Sequence, residues 1–335
     1  MPKLSVLMPV YNARQFLREA IESILNQTFT DFEFIIIDDC STDNSAAIVQ
    51  SYNDTRIRFY QNEKNLGISL TLNKGIELAN SDWIARMDSD DISYPQRFQQ
   101  QYNFILDHPD GALFSCWVRV VDEQGRFIRQ DNFRSEYYYY NLTFICWIYH
   151  PSVVYRKTAV QEVGTYTKPY AEDFELFWQL SRRYKIYNVP EVLLDYRVTS
   201  QSLHQVIKKN EYRHAQMEQL LRNFQYFAGN NYFIHQNYID CLQHNFQPLL
   251  AEKKVSKIIS CIYELDFLTK CILNKENVNR NAEAIKEAAF YKRRFIISFF
   301  AKNLPVYKAA LLLIRLNSFG MLKQLIRSQL TLVQR

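Results

Sequence analysis

The stretch that decides the fold is an apolar run ending in three carboxylates, Trp83-Ile84-Ala85-Arg86-Met87-Asp88-Ser89-Asp90-Asp91. Residues 83–87 are few and mostly apolar, which predicts a buried strand. Clustered carboxylates repel one another and resist burial unless a positive group joins them. A hard divalent cation is the simplest such group, because it prefers oxygen ligands and completes its shell with water and phosphate oxygens. Taken alone, an Asp-x-Asp pattern is more typical of a solvated acidic loop, so the surrounding sequence has to decide.

Strands and helices alternate around this stretch. Residues 4–10, 32–37 and 56–60 also have strand patterns, and segments with helical spacing separate the four strands. Such alternation predicts an α/β domain with a largely parallel sheet and helices on both faces.

Polar residues follow three of these strands. They are Pro9-Val10-Tyr11-Asn12, Asp38-Asp39 and Asp88-Ser89-Asp90-Asp91. In open sheets of this kind, ligands bind at the carboxyl ends of the strands, so we expect the three clusters to lie at one edge. No Gly-x-Gly-x-x-Gly follows the first strand and no Gly-Lys-Ser/Thr loop occurs, which argues against an NAD dehydrogenase and a P-loop NTPase.

Composition indicates the size and class of the protein. A chain of 335 residues with 47% hydrophobic content can bury a sizeable core, and we expect two domains, residues 1–200 and a helical region over 201–335. The six cysteines have neither paired nor framework spacing, which predicts free thiols in a reducing compartment. The first apolar run is too short for a signal peptide, so we expect the protein in the cytoplasm.

The end of the chain is basic. Nine Lys/Arg and no Asp/Glu occur from residue 291 to residue 335, and Lys308 and Arg315 share a helical face beside apolar residues 311–314. The apolar runs are too short to span a bilayer. We therefore predict a basic amphipathic tail, about residues 291–335, that attaches peripherally to the anionic inner face of the plasma membrane. Packing of these helices on the protein's own core or on a second copy is the competing interpretation. No nucleic-acid recognition motif accompanies the charge, so we expect no nucleic-acid partner.

Two adjacent acids, Glu172 and Asp173, precede a segment with helical spacing over residues 174–181. Negative charge is favourable at a helix N-terminus. On local sequence alone the pair is more typical of a helix cap than of a catalytic group.

Five segments together resemble family 2 glycosyltransferases of the GT-A fold, in the family's order and spacing. They are Ser5-Val6-Leu7-Met8-Pro9-Val10-Tyr11-Asn12, Ile35-Ile36-Ile37-Asp38-Asp39-Cys40-Ser41-Thr42-Asp43, Asn65-Leu66-Gly67, Ala85-Arg86-Met87-Asp88-Ser89-Asp90-Asp91 and Ala171-Glu172-Asp173. The resemblance covers about residues 3–200 and implies a mixed, mainly parallel GT-A sheet flanked by helices, followed here by a helical C-terminal extension. It also implies an inverting, metal-dependent hexosyltransferase that uses a UDP-sugar.

The resemblance assigns roles to individual residues. It implies that Pro9, Tyr11 and Asp39 bind the nucleotide, with Asp39 facing the uracil ring. Asp88 and Asp90 match the family's Asp-x-Asp pair for Mn2+ or Mg2+, with Asp90 the direct ligand and Asp88 a contact to ribose or to metal-bound water. The role of Asp91 stays open between holding a metal-bound water and capping the turn.

Asp173 matches the position of the family's catalytic base. When a metal ion bridges the diphosphate leaving group, no protonating side chain is needed, so one carboxylate suffices to accept the proton of the acceptor hydroxyl.

Two departures from the family limit this transfer. The Gln-x-x-Arg-Trp signature of processive relatives is absent after Asp173, which predicts addition of a single sugar. Related sequences often carry a histidine directly after Asp/Lys-Tyr-Arg, but here the next histidine after Arg197 is His204. His204 either closes over the donor or contacts the metal, or it is a surface histidine, and the surface interpretation is favoured. His150 either faces the acceptor or is a hydrogen-bonded core histidine.

We therefore expect one sugar to move from a UDP-sugar to an oligosaccharide or glycolipid acceptor of the cell surface, as in lipopolysaccharide or capsule biosynthesis. UDP-N-acetylhexosamine is the favoured donor and UDP-galactose the next. The alternatives are a nucleotidyltransferase that makes the sugar nucleotide and a non-catalytic UDP-binding or membrane-surface scaffold. The sequence leaves the oligomeric state open.

Overall fold

A computed structural model describes residues 1–199 and 209–323. The chain divides into two compact units. The first comprises Met1–Tyr138, Cys146–Gln216 and Asn277–Asn279, and the second comprises Tyr139–Ile145, Met217–Glu276 and Arg280–Arg335. The domain boundary that we predict near residue 200 remains a prediction, because a compact unit need not fold alone.

A single mixed sheet forms the centre of the first unit. Its strands are β1 (Leu4–Val10), β2 (Phe32–Asp38), β3 (Ile57–Gln61), β4 (Trp83–Arg86), β5 (Ile92–Ser93), β6 (Gly111–Val121), β7 (Phe127–Asp131), β8 (Val154–Arg156) and β9 (Lys185–Arg197). Their order is β3-β2-β1-β4-β8-β6-β9-β5, and β7 pairs with β6. The pairs β1–β2, β1–β4, β2–β3 and β6–β9 are parallel.

Helices connect these strands and form the C-terminal part. They are α1 (Leu17–Leu25), α2 (Ser45–Gln50), α3 (Ile68–Leu78), α4 (Arg97–Asp107), α5 (Tyr138–Asn141), α6 (Lys157–Glu162), α7 (Glu172–Ser181), α8 (Lys209–Ala228), α9 (Gln236–Leu242), α10 (Gln247–Ala251), α11 (Val255–Asn274), α12 (Ala282–Asn303) and α13 (Val306–Arg315). Short 3₁₀ helices occur at Ser135–Tyr137 and His150–Ser152.

The predicted strand–helix alternation is confirmed over the first four strands. Every residue of β1 and β2 is buried, as expected for parallel strands that are covered on both faces. In the register, Val10 pairs with Asp38 and Asp38 pairs with Gln61. The carboxyl ends of β1, β2 and β3 therefore lie level at one edge, where the polar clusters begin.

Strand β9 was not predicted. Its register against β6 passes from Val189 opposite Cys116 to Val192 opposite Trp117. Pro190 and Glu191 therefore lie in a bulge, and both are exposed. A proline cannot donate to the ladder and is tolerated at a bulge, which explains how β9 continues past Pro190.

The C-terminal part is helical, as predicted. Helices α11, α12 and α13 pack together in the second unit, and their buried side chains include Ile262, Leu265, Ile296, Phe300 and Leu312. Across the described residues, no helix combines the length and apolar character that a bilayer crossing requires. The six cysteines all lie in the described ranges and are free thiols.

Candidate active site

The three carboxylates after β4 converge in space. Ligand oxygens of Asp88, Asp90 and Asp91 all lie within 4.8 Å of one another. Strand β4 ends at Arg86, and β5 begins at Ile92 with Ile92 paired to Asp195 of β9. The loop is thus anchored by the sheet at both ends. Across residues 1–199 and 209–323, no other group of three His, Cys, Asp or Glu side chains meets the same criterion.

Burial and mutual repulsion both disfavour the ionised forms of Asp90 and Asp91. Burial, followed by the charge of Asp88, raises the pKa of Asp90 to about 7. Burial and the neighbouring carboxylates raise the pKa of Asp91 well above its ordinary value. Asp91 is 1% exposed, and within the described chain its Oδ2 has no hydrogen-bond partner. A hard divalent cation fits this donor set, because it takes carboxylate oxygens and removes the repulsion.

Arg86 is a buried arginine that the sequence analysis did not single out. It is 3% exposed and forms an ion pair with Asp88. Although burial opposes its charge, the carboxylate of Asp88 raises the pKa of Arg86 above its ordinary value. The sequence did contain a signal for this ion pair, namely an arginine within an otherwise apolar strand. Arginine is almost never fully buried without a partner.

Asp39 begins the loop after β2 and is 4% exposed. Its Oδ1 accepts hydrogen bonds from Asn62 Nδ2 and from the Leu66 amide, both at 2.8 Å, and its Oδ2 accepts one from the Gly67 amide at 2.9 Å. Gly67 has a φ of 82°, which suits glycine. A carboxylate has about four acceptor directions, so Oδ2 retains one for a ligand.

The end of β1 lies beside this loop. Pro9 is buried in the strand, whereas Tyr11 is 48% exposed. Asn12 has a φ of 50°; its amide donates to Ser41 Oγ at 2.9 Å, and its Oδ1 accepts from the Thr42 amide at 2.8 Å. These bonds tie the turns after β1 and β2 together and leave the Tyr11 ring accessible.

Asp173 lies in the first turn of α7. Ala171, directly before the helix, has the left-handed φ of 53° that an alanine rarely adopts. Such backbone strain is common at functional sites. Asp173 is partly exposed, and its Oδ1 accepts from the Phe174 amide at 2.7 Å. The structure therefore shows an acid at a helix N-terminus, as both sequence interpretations require.

The acid pair of α7, Glu172 and Asp173, lies close enough to the acidic loop after β4 for their charges to interact. Burial, then Asp173, raise the pKa of Glu172 to about 8, and Asp88 adds to this effect. Burial and the charges of Glu172, Asp173 and Asp88 together raise the pKa of Tyr212 in α8. Residues more than 80 positions apart are thus brought together. Burial of Glu172 itself was not predicted from the sequence.

His150 is a buried histidine. Its Nε2 is 2.7 Å from the hydroxyl of Tyr166, and its Nδ1 is 3.7 Å from Glu172 Oε1. Burial, with a smaller contribution from Arg86, lowers the pKa of His150 well below its ordinary value. These contacts are those of a neutral, hydrogen-bonded core histidine. His204 lies outside the described residues.

Comparisons with known proteins identify the family. The model of glycosyl transferase family 2 matches residues 5–164. An uncharacterised glycosyltransferase of Methanocaldococcus jannaschii is 31% identical over 251 residues, which make up 69% of this chain and 84% of that protein. The chain belongs to glycosyl transferase family 2.

This family 2 chain is also 27% identical over 270 residues to the O-antigen biosynthesis glycosyltransferase WbnJ of Escherichia coli, covering 78% of the chain and 94% of WbnJ. Its fold is similar to that of TarS residues 1–349 from S. aureus, solved in complex with UDP-GlcNAc, with a TM-score of 0.57 and 16% identity over 90% of this chain and 92% of that one. The predicted family, GT-A fold and enzyme class are therefore confirmed: the protein is a glycosyltransferase.

Removing one carboxylate from the acidic loop should stabilise the metal-free protein in a pH-dependent way. The pKa of Asp90 is about 7 in the folded state and near 3.8 without its surroundings. The folded protein then binds the extra proton between these values, so Asp90 costs stability as the pH rises from about 4 to about 7. We expect Asp90→Asn to raise the free energy of unfolding in EDTA by up to roughly 4 kcal/mol at about pH 8 and by little at about pH 4.

Urea unfolding followed by circular dichroism measures this difference, with Asp82→Asn as the control because Asp82 is exposed and outside the cluster. An equal gain at both pH values would contradict the account.

Proposed function

We propose that this glycosyltransferase is an inverting, metal-dependent, non-processive enzyme that transfers one sugar from a UDP-sugar to a hydroxyl of a cell-surface glycan. The observation that carries the proposal is the convergence of Asp88, Asp90 and Asp91 at a strand end, in electrostatic contact with the acid pair of α7. Transfer from a nucleotide diphosphate to a hydroxyl can use carboxylates in two roles. The acidic loop would hold the cation that binds the diphosphate, and the acid pair of α7 would supply the carboxylate that accepts the proton of the hydroxyl.

The nucleotide lies against the ends of β1 and β2 in this proposal. The free acceptor direction on Asp39 Oδ2 suits an N–H donor of a base such as uracil. The accessible ring of Tyr11 suits stacking on that base, and Pro9 borders the same edge. The similar fold of TarS, which was solved with UDP-GlcNAc, supports a UDP-sugar as the donor class.

Asp90 and Asp88 are the proposed ligands for Mn2+ or Mg2+. When bound, a divalent cation offsets the negative charge that develops on the departing diphosphate. Arg86 pairs with Asp88 and holds that carboxylate in place. Asp88 is the proposed contact to the ribose or to a metal-bound water.

Asp173 is the proposed general base. Its carboxylate accepts the proton of the acceptor hydroxyl while that oxygen bonds to the anomeric carbon and the bond from that carbon to the diphosphate oxygen breaks. Attack opposite to the leaving group inverts the anomeric centre. Asp173 lies in the first turn of α7, where negative charge is favourable.

The donor and acceptor are proposed more specifically from similarity. UDP-N-acetylhexosamine is the first candidate, since TarS was solved with UDP-GlcNAc, and UDP-galactose is the second. The similarity to an O-antigen biosynthesis glycosyltransferase supports a glycan or glycolipid acceptor of the cell surface. UDP release from a panel of UDP-sugars tests the donor.

We further propose that α12 and α13 contact an anionic membrane. These helices bury apolar residues on one side, so packing on the protein's own core is part of their role. On the other side lies a surface that we call the α12–α13 surface, with exposed aromatic, apolar and basic side chains: Tyr291, Arg294, Phe295, Lys302, Tyr307, Leu311 and Ile314. Exposed aromatic groups beside arginine and lysine suit the interface of anionic lipids. No acidic residue occurs from 291 to 335, so the charge is complementary to such lipids.

Replacing Asp173 by asparagine should abolish transfer and spare UDP binding. The amide keeps the shape of the side chain but cannot accept the proton, so we expect transfer to fall by roughly 10²–10⁴-fold. Transfer is measured by UDP release with acceptor, and UDP binding by calorimetry. Glu175→Gln is the matched control, because it removes a charge from the same helical turn and Glu175 accepts a hydrogen bond from Gln179 of the same helix. Substantial residual transfer by Asp173→Asn would exclude Asp173 as the base.

Reversing two charges on the α12–α13 surface should weaken membrane binding. Each basic side chain near an anionic surface contributes about 1 kcal/mol, so Arg294→Glu combined with Lys302→Glu should lower partitioning by more than about tenfold. Co-sedimentation with phosphatidylglycerol-containing vesicles measures this, with pure phosphatidylcholine vesicles for comparison. Lys286→Glu is the control, since it lies on α12 away from the α12–α13 surface. Unchanged binding of the double variant would contradict the membrane proposal.

A further inference from the structure

Arg197 is the last residue of β9 and touches the acidic loop at two points. Its side chain is 4% exposed. Its Nε donates to the carbonyl oxygen of Asp90 at 2.9 Å, and its main-chain amide donates to Asp91 Oδ1 at 2.7 Å. The side chain and backbone of one residue therefore hold two consecutive residues of the loop.

The same guanidinium is fixed by three groups outside the loop. Its Nη1 donates to the carbonyl oxygen of Glu123 at 3.0 Å, and its Nη2 donates to Glu19 Oε2 at 2.7 Å. Its Cζ lies 4.4 Å from the centroid of the Phe16 ring. These partners come from the turn between β6 and β7 and from the start of α1, so the arginine is oriented before any ligand arrives.

The acidic loop needs such a restraint. Residues 87–91 have no strand or helix of their own, and their carboxylates repel one another. Without restraint, repulsion would separate the ligand oxygens. Arg197 supplies such a restraint through its contacts with Asp90 and Asp91, which keeps the loop ready for a cation.

Lysine could not replace these contacts. A guanidinium is planar and donates in several fixed directions, whereas an ammonium is a compact point charge on a flexible stem. Arg197 uses Nε, Nη1 and Nη2 for three acceptors on three segments of the chain. The Glu19 side chain is 60% exposed, so its ion pair contributes little compared with the two partly buried hydrogen bonds to the carbonyl oxygens of Asp90 and Glu123.

We propose that Arg197 is a positioning residue for the divalent-cation site, holding Asp90 and Asp91 so that their carboxylates converge on the cation. This inference rests on the proposed metal-dependent function. It adds to the proposed site a residue of β9, more than 100 positions after the acidic loop. Residues that orient metal ligands typically change metal affinity by about 10–100-fold when they are replaced. Arg197 should act through metal binding rather than through the affinity for UDP alone.

The test compares Arg197→Ala and Arg197→Lys with wild type. Mn2+ affinity is measured in the presence of UDP from the electron paramagnetic resonance signal of free Mn2+, and UDP affinity is measured by calorimetry in EDTA. We expect the dissociation constant for Mn2+ to rise by about 10–100-fold in both variants, with UDP affinity in EDTA unchanged. Should the alanine variant fail to fold, the lysine variant still tests the proposal.

Arg119→Ala is the matched control. Arg119 of β6 pairs through Nε at 2.7 Å with Asp195 of β9, the strand that carries Arg197. Its guanidinium also lies over the ring of Tyr94, and both partners are outside the loop of residues 87–91. We expect this variant to bind Mn2+ as wild type does. Wild-type Mn2+ affinity in Arg197→Lys would overturn the proposal, as would equal weakening by Arg119→Ala, which would indicate a general effect on the sheet. If wild type itself binds no Mn2+, the proposed metal dependence fails and the role of Arg197 fails with it.

Discussion

Repulsion among Asp88, Asp90 and Asp91 is the constraint on which the rest of the site depends. Their ligand oxygens lie within 4.8 Å of one another in a loop without regular structure. Such crowding costs free energy unless positive charge offsets it. The protein supplies part of that charge through Arg86, which pairs with Asp88, and Arg197, which holds the other two residues. The remaining negative charge is what a divalent cation would offset, as the proposed metal site requires.

The strand order of the sheet places the acidic loop beside the other polar loops of the candidate site. Because β1 lies between β2 and β4, the loops after these strands face the same edge, and the register of Val10 with Asp38 sets two of the strand ends level. The position of Asp39 and the electrostatic effect of Asp88 on Glu172 both follow from this packing. The sheet thus brings together loops from segments that are far apart in sequence.

Sequence patterns predicted the elements whose signal is local. Strands β1 and β2 are apolar throughout, so burial on both faces was evident, and the acids that follow strands had to lie at one edge. Partnerships between distant residues carried no such signal. Arg197 and Glu19 are 178 positions apart. The bulge at Pro190 interrupts the regular pattern of β9, so the sequence did not predict the strand that brings Arg197 to the acidic loop. The burial of Glu172 beside His150 likewise depends on the packing of α7, which periodicity alone does not give.

The affinity of the protein for UDP with and without Mn2+ tests the central claim most directly, because it needs neither the correct sugar nor an acceptor. If the acidic loop is a metal–diphosphate site, calorimetry should show that Mn2+ tightens UDP binding by at least about tenfold, or roughly 1.4 kcal/mol. This gain should disappear in Asp90→Asn. Equal UDP affinity in EDTA and in Mn2+ would contradict the account.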